Sequence, residues 1–353
     1  MNPGDDLLRK FILAQGNQTW TETPPSAGGI SSSHQPGTIP PCGPADHQGE
    51  AAQLQLLIGI DVGGTKIAAG LLEYPTGRIL GRKLTPTLYQ RGGRAILDDC
   101  LRLARELAGE GEATGMPVAG IGLGVCELVD KGGNLASANC IPWLELPVRE
   151  ELAAIGPVVI EADVRAAAKA EALWGAGRGY DNFLYVTVGT GISCCLMIDG
   201  RPYLGARGIT GSMGSSALRI PCQQCGAMQT RTLEEIAAGP ALAARFAAHG
   251  GIAASGQEVF AAAAAGDAEA KRILRTASEA LESQIGLVVN VVDPAAVIVG
   301  GGLGMSEGPY WEGFVAATRR NLWAAAHANL PILRAATGTD AGWLGAAACA
   351  ARQ

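Results

Sequence analysis

Leu54-Gln55-Leu56-Leu57-Ile58-Gly59-Ile60-Asp61-Val62-Gly63-Gly64-Thr65-Lys66 is the stretch on which the reading of this chain turns. An apolar run of strand length ends in an aspartate and a pair of glycines. Glycine lets the backbone turn sharply and present amide donors to a phosphate, so Gly63 and Gly64 form a candidate phosphate cradle. Thr65 adds a hydroxyl and Lys66 completes the phosphate-binding set. Asp61 is placed to hold a magnesium ion through water. The Gly-Lys-Ser/Thr ending of a P-loop is missing, and a strand rather than a helix follows. The same residues also fit a plain β-hairpin that merely reverses the chain.

Working outward, IAAGLLEY and GRILGRKLTPT read as two further strands joined by glycine turns. A helix follows, with Ile96, Leu97, Cys100, Leu101, Leu103, Ala104 and Leu107 mostly along one face. Val118–Val125 and Val158–Ile160 read as buried strands, and the second runs into the helical EADVRAAAKAEALWGAGRG. NFLYVTVGTGISCCLMIDGRPY then repeats the logic of the first round: strand, glycine turn, strand, turn. Its Gly189-Thr190-Gly191 is a second candidate phosphate loop. Helices are expected at about Leu233–His249, Gln257–Ala265 and Ala268–Val292. A third cluster, Gly300-Gly301-Gly302, follows the strand AVIV, where it either seats an adenosine or simply joins strand to helix. Strands alternating with helices, with glycines at the strand ends, predict α/β architecture with ligand clefts at those ends.

The chain has 353 residues, 48% hydrophobic and 17% charged, with 50 glycines and a formal net charge of −6. That composition predicts a folded chain of two lobes. With no long basic run, nucleic acid and anionic membrane are not expected as partners, and a small molecule fits better. No apolar stretch reaches the roughly 20 residues needed to span a bilayer. The N-terminus lacks the charge and apolar core of a secretory signal, and nine scattered cysteines read as reduced thiols, so a cytoplasmic protein is expected. Residues 1–53 read as a disordered leader rich in proline, serine and glycine, in which Asp5–Leu13 is one short amphipathic segment. The remainder divides into an N-terminal α/β lobe at 54–162 and a C-terminal α/β lobe at 163–353, whose last helix is free to pack back on the first lobe.

These residues resemble the ROK family (repressor, open reading frame, kinase), within the actin-like and hexokinase-like ATPases. DVGGTK is similar to its first phosphate loop, GTG in LYVTVGTGI to its second, EADVRAAAKAEALWGAGRG to its catalytic segment, and GGGL with the closing LGAAA to its adenosine-side elements. The likeness runs from about Leu56 to the C-terminus in the family's order. It implies two ribonuclease H-like lobes around a deep cleft, ATP with Mg2+ on the C-terminal lobe, a sugar or sugar-like polyol between the lobes, and a homodimer. Asp163 is thereby implied as the catalytic base that takes the proton of the attacking hydroxyl. Its position before a helix is equally ordinary for an N-cap. Asn139 and Glu234 are implied as sugar contacts, although as bare residues they also read as a turn asparagine and a helix-start glutamate.

The sequence departs from the family pattern where the sugar is read. Ala162 stands where the family has an asparagine before the catalytic aspartate, and Arg165 replaces the asparagine that follows it. Gly211-Ser212-Met213-Gly214-Ser215 lacks the glutamate and histidine of the matching segment. Losing hydrogen bonds matched to substrate hydroxyls costs discrimination on the order of 10⁴, so an altered acceptor is expected. The family's zinc site keeps only Cys222 and Cys225, with Thr232 and Ser215 at the other two positions. Two thiolates do not close a tetrahedral site, so structural zinc is not expected unless a residue such as Cys194 or His249 joins them. Two alternatives from other classes are a sugar-sensing transcriptional regulator, for which no helix-turn-helix reader is legible, and a catalytically inactive sugar binder.

Overall fold

The computed structural model describes residues 53–221, 225–306 and 309–351. The leader expected over 1–53 therefore lies, apart from Gln53, outside the described residues, as does Cys222.

The first sheet grows from the opening stretch. Strands β1 (Gln55–Val62), β2 (Lys66–Tyr74) and β3 (Arg78–Pro86) form an antiparallel meander, and helix α1 (Gly92–Glu112) leads to β4 (Val118–Val125), which pairs parallel to β1. Helix α2 (Val148–Ala153) leads to β5 (Val158–Ala162), parallel to β4, giving the order β3-β2-β1-β4-β5. Helix α3 (Asp163–Trp174) starts directly at the end of β5.

The plan then recurs. Strands β6 (Phe183–Val188), β7 (Ile192–Ile198) and β8 (Arg201–Pro202) form an antiparallel meander. A separate hairpin of β9 (Ala217–Pro221) and β10 (Met228–Thr232) follows, with helices α4 (Glu234–Ala237), α5 (Gly239–Ala247), α6 (Gly256–Ala264) and α7 (Ala268–Val292). Strand β11 (Val297–Gly300) pairs parallel to β6. Helix α8 (Pro309–Arg320) leads to β12 (Ile332–Arg334), parallel to β11, and α9 (Ala341–Cys349) closes the chain. The second sheet runs β8-β7-β6-β11-β12, the same topology as the first. Both belong to one compact unit, Gln48–Gln353.

Alternation along β1 decides what packs where. Leu56, Ile58 and Ile60 face α1, whose apolar stripe is the one expected from the sequence, while Leu57 faces α9 through Trp343, Leu344 and Ala347. Gly59, on the α9 side, has no side chain because a Cβ there would run into the Trp343 carbonyl. Gly70 on β2 and Gly122 on β4 are under the same constraint from Trp343 and Ala346. α9 also crosses α3 closely, since a Cβ at Gly345 would meet the Ala166 carbonyl. The alanines of α3 suit this position: Ala167 and Ala168 pack with Tyr185 of the second sheet, and Ala170 packs with the Trp343 cluster on the first.

One expectation is corrected here, and one element is new. The helix read over Leu233–His249 is broken into α4 and α5 at Ala238, which is extended (φ −75°, ψ 158°). Pro240 lacks an amide hydrogen and its ring would clash with the preceding turn of a continuous helix. The hairpin β9–β10 was not legible as strands, because the cysteine-rich stretch it flanks shows no alternation of apolar residues.

Candidate active site

Every candidate loop sits at the carboxyl end of a parallel strand, where an open α/β sheet exposes backbone to a cleft. The first follows β1. Its turn is closed by the Gly63 amide donating to the Lys66 carbonyl at 3.0 Å. Thr87, fully buried, fixes it from behind: its hydroxyl donates to the Gly63 carbonyl at 2.6 Å and its amide to the Thr65 carbonyl at 3.0 Å. Gly63 and Gly64 are half-buried, while Thr65 and Lys66 are exposed.

The second loop, after β6, lies directly opposite. The hydroxyls of Thr65 and Thr190 stand 3.4 Å apart across a separation of 125 residues. Gly189 is tied on both sides, its amide to the Gly191 carbonyl at 2.9 Å and its carbonyl to the Gly239 amide at 2.8 Å. The break between α4 and α5 thus brings a helix start onto this loop. Glu234 braces it from below, accepting from the Ile192 amide at 2.8 Å.

The third cluster docks on the second. Gly301 is left-handed (φ +81°), and a Cβ there would come within 2.5 Å of the Val188 carbonyl. That carbonyl accepts from the amides of Leu303 at 2.9 Å and Gly304 at 3.1 Å. A Cβ at Gly302 would lie 3.1 Å from Gln257 Nε2, so α6 flanks the turn.

Two carboxylates lie within this frame. Burial pushes Asp61 up to about 7, with the charge of Asp163 adding to the effect and Lys66 opposing it. Its Oδ1 is buried without a hydrogen-bond partner, and a Cβ at Gly342, at the start of α9, would collide with Oδ2. Asp163 is pushed up to about 6, again chiefly by burial, with the Val164 amide and Arg165 pulling the other way. Asp163 is not the N-cap of α3: that position is Ala162, and Asp163 is the first helical residue, accepting from the Val164 amide at 2.6 Å.

Asn139 sits on the segment after β4, held by a residue the sequence did not single out. The buried Glu127 carboxylate accepts from Ser137 Oγ (2.5 Å) and the amides of Asn139 (2.8 Å), Cys140 (2.7 Å) and Ile141 (2.9 Å). The Cys140 sulfur lies within 4.8 Å of that of Cys126, whose amide donates to the Val62 carbonyl at the end of β1, which puts this segment beside the first loop. Neither Glu127 nor Thr87 belongs to a short motif, so only their tertiary partners reveal them.

Arg165 lies elsewhere than its sequence position suggests. It is buried, donating to Glu161 Oε1 at 2.6 Å, to the Gly208 carbonyl, and to the Val129 carbonyl at 3.1 Å. It therefore ties segments following β4 and β8 together rather than facing an acceptor. In the Gly211–Ser215 segment Met213 is buried in the core around Leu184 and Val186, and Ser212 and Ser215 are exposed. Cys225 is exposed on the β9–β10 hairpin. Among the described residues, the metal-ligating side chains gathered within 4.8 Å of one another are Cys126, Glu127 and Cys140.

An implied magnesium ion and nucleotide fit these residues: Asp61 Oδ1 is a buried carboxylate oxygen with no hydrogen-bond partner, and a Cβ at Gly63, Gly64 or Gly189 would come no closer than 3.4 Å to anything beyond its chain neighbours, so the turns leave room for a phosphate.

Comparison with known proteins identifies the family. The sequence model of the ROK family matches residues 57–353. The bifunctional enzyme NanE/NanK of Brucella melitensis is 33% identical over 303 residues, 84% of this chain and 54% of that protein. The chain thus spans about half the length of that relative. N-acetylmannosamine kinase of Shigella flexneri is 30% identical over 296 residues, covering 82% of this chain and 97% of that protein. A ROK family glucokinase from Streptomyces griseus, solved in complex with glucose and AMPPNP, superposes with a TM-score of 0.70 at 29% identity, covering 83% of this chain and 98% of that one. With the family's sequence pattern matched from the first strand through the last helix, this chain belongs to the ROK family.

Proposed function

We propose that the chain transfers the terminal phosphate of ATP to a hydroxyl of a sugar or sugar-like polyol. The observation that carries this reading is the meeting of the two glycine hairpins, Thr65 to Thr190 at 3.4 Å, above two raised carboxylates. Lobes at 54–162 and 163–353 would close on the substrates and exclude water, which competes with the sugar as acceptor.

In this reading the turns Gly63-Gly64 and Gly189-Thr190-Gly191, with Thr65 and Lys66, hold the phosphates, the amides of Gly63 and Gly189 closing the turns themselves, and Gly300, Gly301 and Gly302 seat the adenosine. Asp61 would hold Mg2+ through water, and the ion supplies charge neutralisation on the phosphates. Asp163 accepts the proton of the attacking hydroxyl and orients that oxygen in line with the phosphorus. Its raised pKa makes it a better proton acceptor than an exposed carboxylate. Asn139, presented by the Glu127 brace, and Glu234, beneath the second loop, bound the acceptor.

The acceptor preference differs from that of a glucokinase near the anomeric carbon and C2. Support comes from Ala162, from Arg165 being used up in structural bonds, and from the absence of acidic and imidazole groups in Gly211–Ser215. The Shigella relative named for N-acetylmannosamine makes 2-acetamido sugars the first class to assay. Glucose, mannose, N-acetylmannosamine, N-acetylglucosamine and cyclitols, each with ATP and magnesium, are compared by ADP release and product mass. A C2-modified sugar or cyclitol is expected to have the highest kcat/KM. Rapid turnover of glucose alone would overturn the altered preference, and ADP release with none of them would overturn sugar phosphorylation. A cytoplasmic location is part of this reading, consistent with the finding that no described helix is long and apolar enough to cross a membrane.

A further inference from the structure

Of the thiols in the described residues, most are sheltered. Burial pushes Cys100 up to about 12, and Cys194 and Cys349 up to about 11. Cys126 and Cys140 are different in kind. Cys126 directly follows β4, its amide donating to the Val62 carbonyl at 3.2 Å beside the first phosphate loop. Cys140 follows Asn139, is exposed, and is held by its own amide on Glu127 at 2.7 Å. Their sulfurs lie within 4.8 Å of each other. Each thiol acts on the other, holding Cys140 below its ordinary value and pushing Cys126 up.

The cluster also contains a carboxylate, so a metal must be weighed first. Both oxygens of Glu127 already accept two hydrogen bonds each, from Ser137, Asn139, Cys140 and Ile141. Coordination would strip donors from a buried carboxylate, and the remaining two sulfurs do not close a zinc site. What remains is a pair of thiols with one open to solvent and the other behind it.

We propose that Cys126 and Cys140 form a dithiol modification site that takes a low-molecular-weight disulfide and closes to an intramolecular disulfide at the acceptor side of the cleft. The exposed Cys140, as thiolate, attacks one sulfur of oxidised glutathione and displaces one glutathione thiolate. Cys126 then loses its proton and attacks the Cys140 sulfur of the mixed disulfide, displacing the second glutathione. Two protein thiols are oxidised, one glutathione disulfide is reduced to two thiols, and the protons leave with the two displaced thiolates. Closing the bond to about 2.05 Å draws Cys140 toward the end of β4. Asn139 is the neighbouring residue and moves with it, so the oxidised protein binds acceptor less well while its nucleotide side is untouched. This last consequence rests on the function proposed above; the chemistry of the pair does not.

The test uses the full chain, reduced and then incubated with oxidised glutathione, its remaining thiols blocked and its peptides mapped by mass. A cross-link between the peptides bearing Cys126 and Cys140 is expected, reversed by dithiothreitol. Cys126→Ser should stop at a glutathione adduct on Cys140, and Cys140→Ser should give no adduct at either position. A persistent glutathione adduct on Cys140 of the unaltered protein, or zinc chloride binding one-to-one and protecting both thiols, overturns the site. With the acceptor identified, oxidation should raise its KM on the order of tenfold with little change in the KM for ATP. An unchanged acceptor KM in the cross-linked protein overturns the coupling to substrate. If no sugar is phosphorylated at all, the peptide map still decides the dithiol.

Discussion

Asp163 begins α3 with its carboxyl pushed up to about 6, and Asp61 stands beside it at about 7. A base works only unprotonated, and both carboxylates are raised, so protons bind them more readily than they bind exposed aspartates. In the free enzyme kcat/KM should therefore fall as pH drops through the window from about 7 to about 6, the limb belonging to the interacting pair rather than to either residue. A pH series of initial rates checks this, and a flat profile from pH 8 to 5 would count against a carboxylate base. Asp163→Asn should lower kcat by about 10²–10⁴ while a nucleotide analogue still binds, as measured by calorimetry. Asp163 was legible because it lies in a segment with a family pattern. Glu127 was not, because four donors from a stretch ten to fourteen residues downstream give it its role.

At the scale of elements, the three glycine turns were readable as turns at strand ends, since glycine there has few other uses. Their assembly was not. Gly301 shows why: its left-handed backbone and the nearby Val188 carbonyl arise only when β11 lies beside β6. Gly301→Ala should cost about 1–2 kcal/mol of stability from the backbone conformation alone. It should also weaken binding of an ATP analogue, read from denaturant midpoints and titration calorimetry. Unchanged nucleotide affinity in the folded variant would remove this turn from the adenosine site. The break between α4 and α5 belongs to the same scale. Alanine-rich periodicity on both sides suggested one helix, and the proline that divides it also delivers the Gly239 amide to Gly189.

At the scale of the whole molecule, α9 is the element on which the arrangement depends, lying against β1 and β4 and crossing α3. Gly59→Ala places a methyl into the Trp343 carbonyl, and the resulting overpacking should cost about 1–3 kcal/mol or more. Urea unfolding measures it, and a variant as stable as the parent would mean that α9 does not seat there. From the sequence alone came the alternation of strands and helices, the amphipathic face of α1, the glycine turns and the repeated plan, because these depend on local periodicity and on backbone freedom that each residue carries with it. It took the folded chain to show that Thr65 and Thr190 meet across 125 residues, that Arg165 is spent on holding two segments, and that the sulfurs of Cys126 and Cys140 come within 4.8 Å of each other. Those facts depend on which distant surfaces are buried against each other, and no stretch of sequence contains both partners.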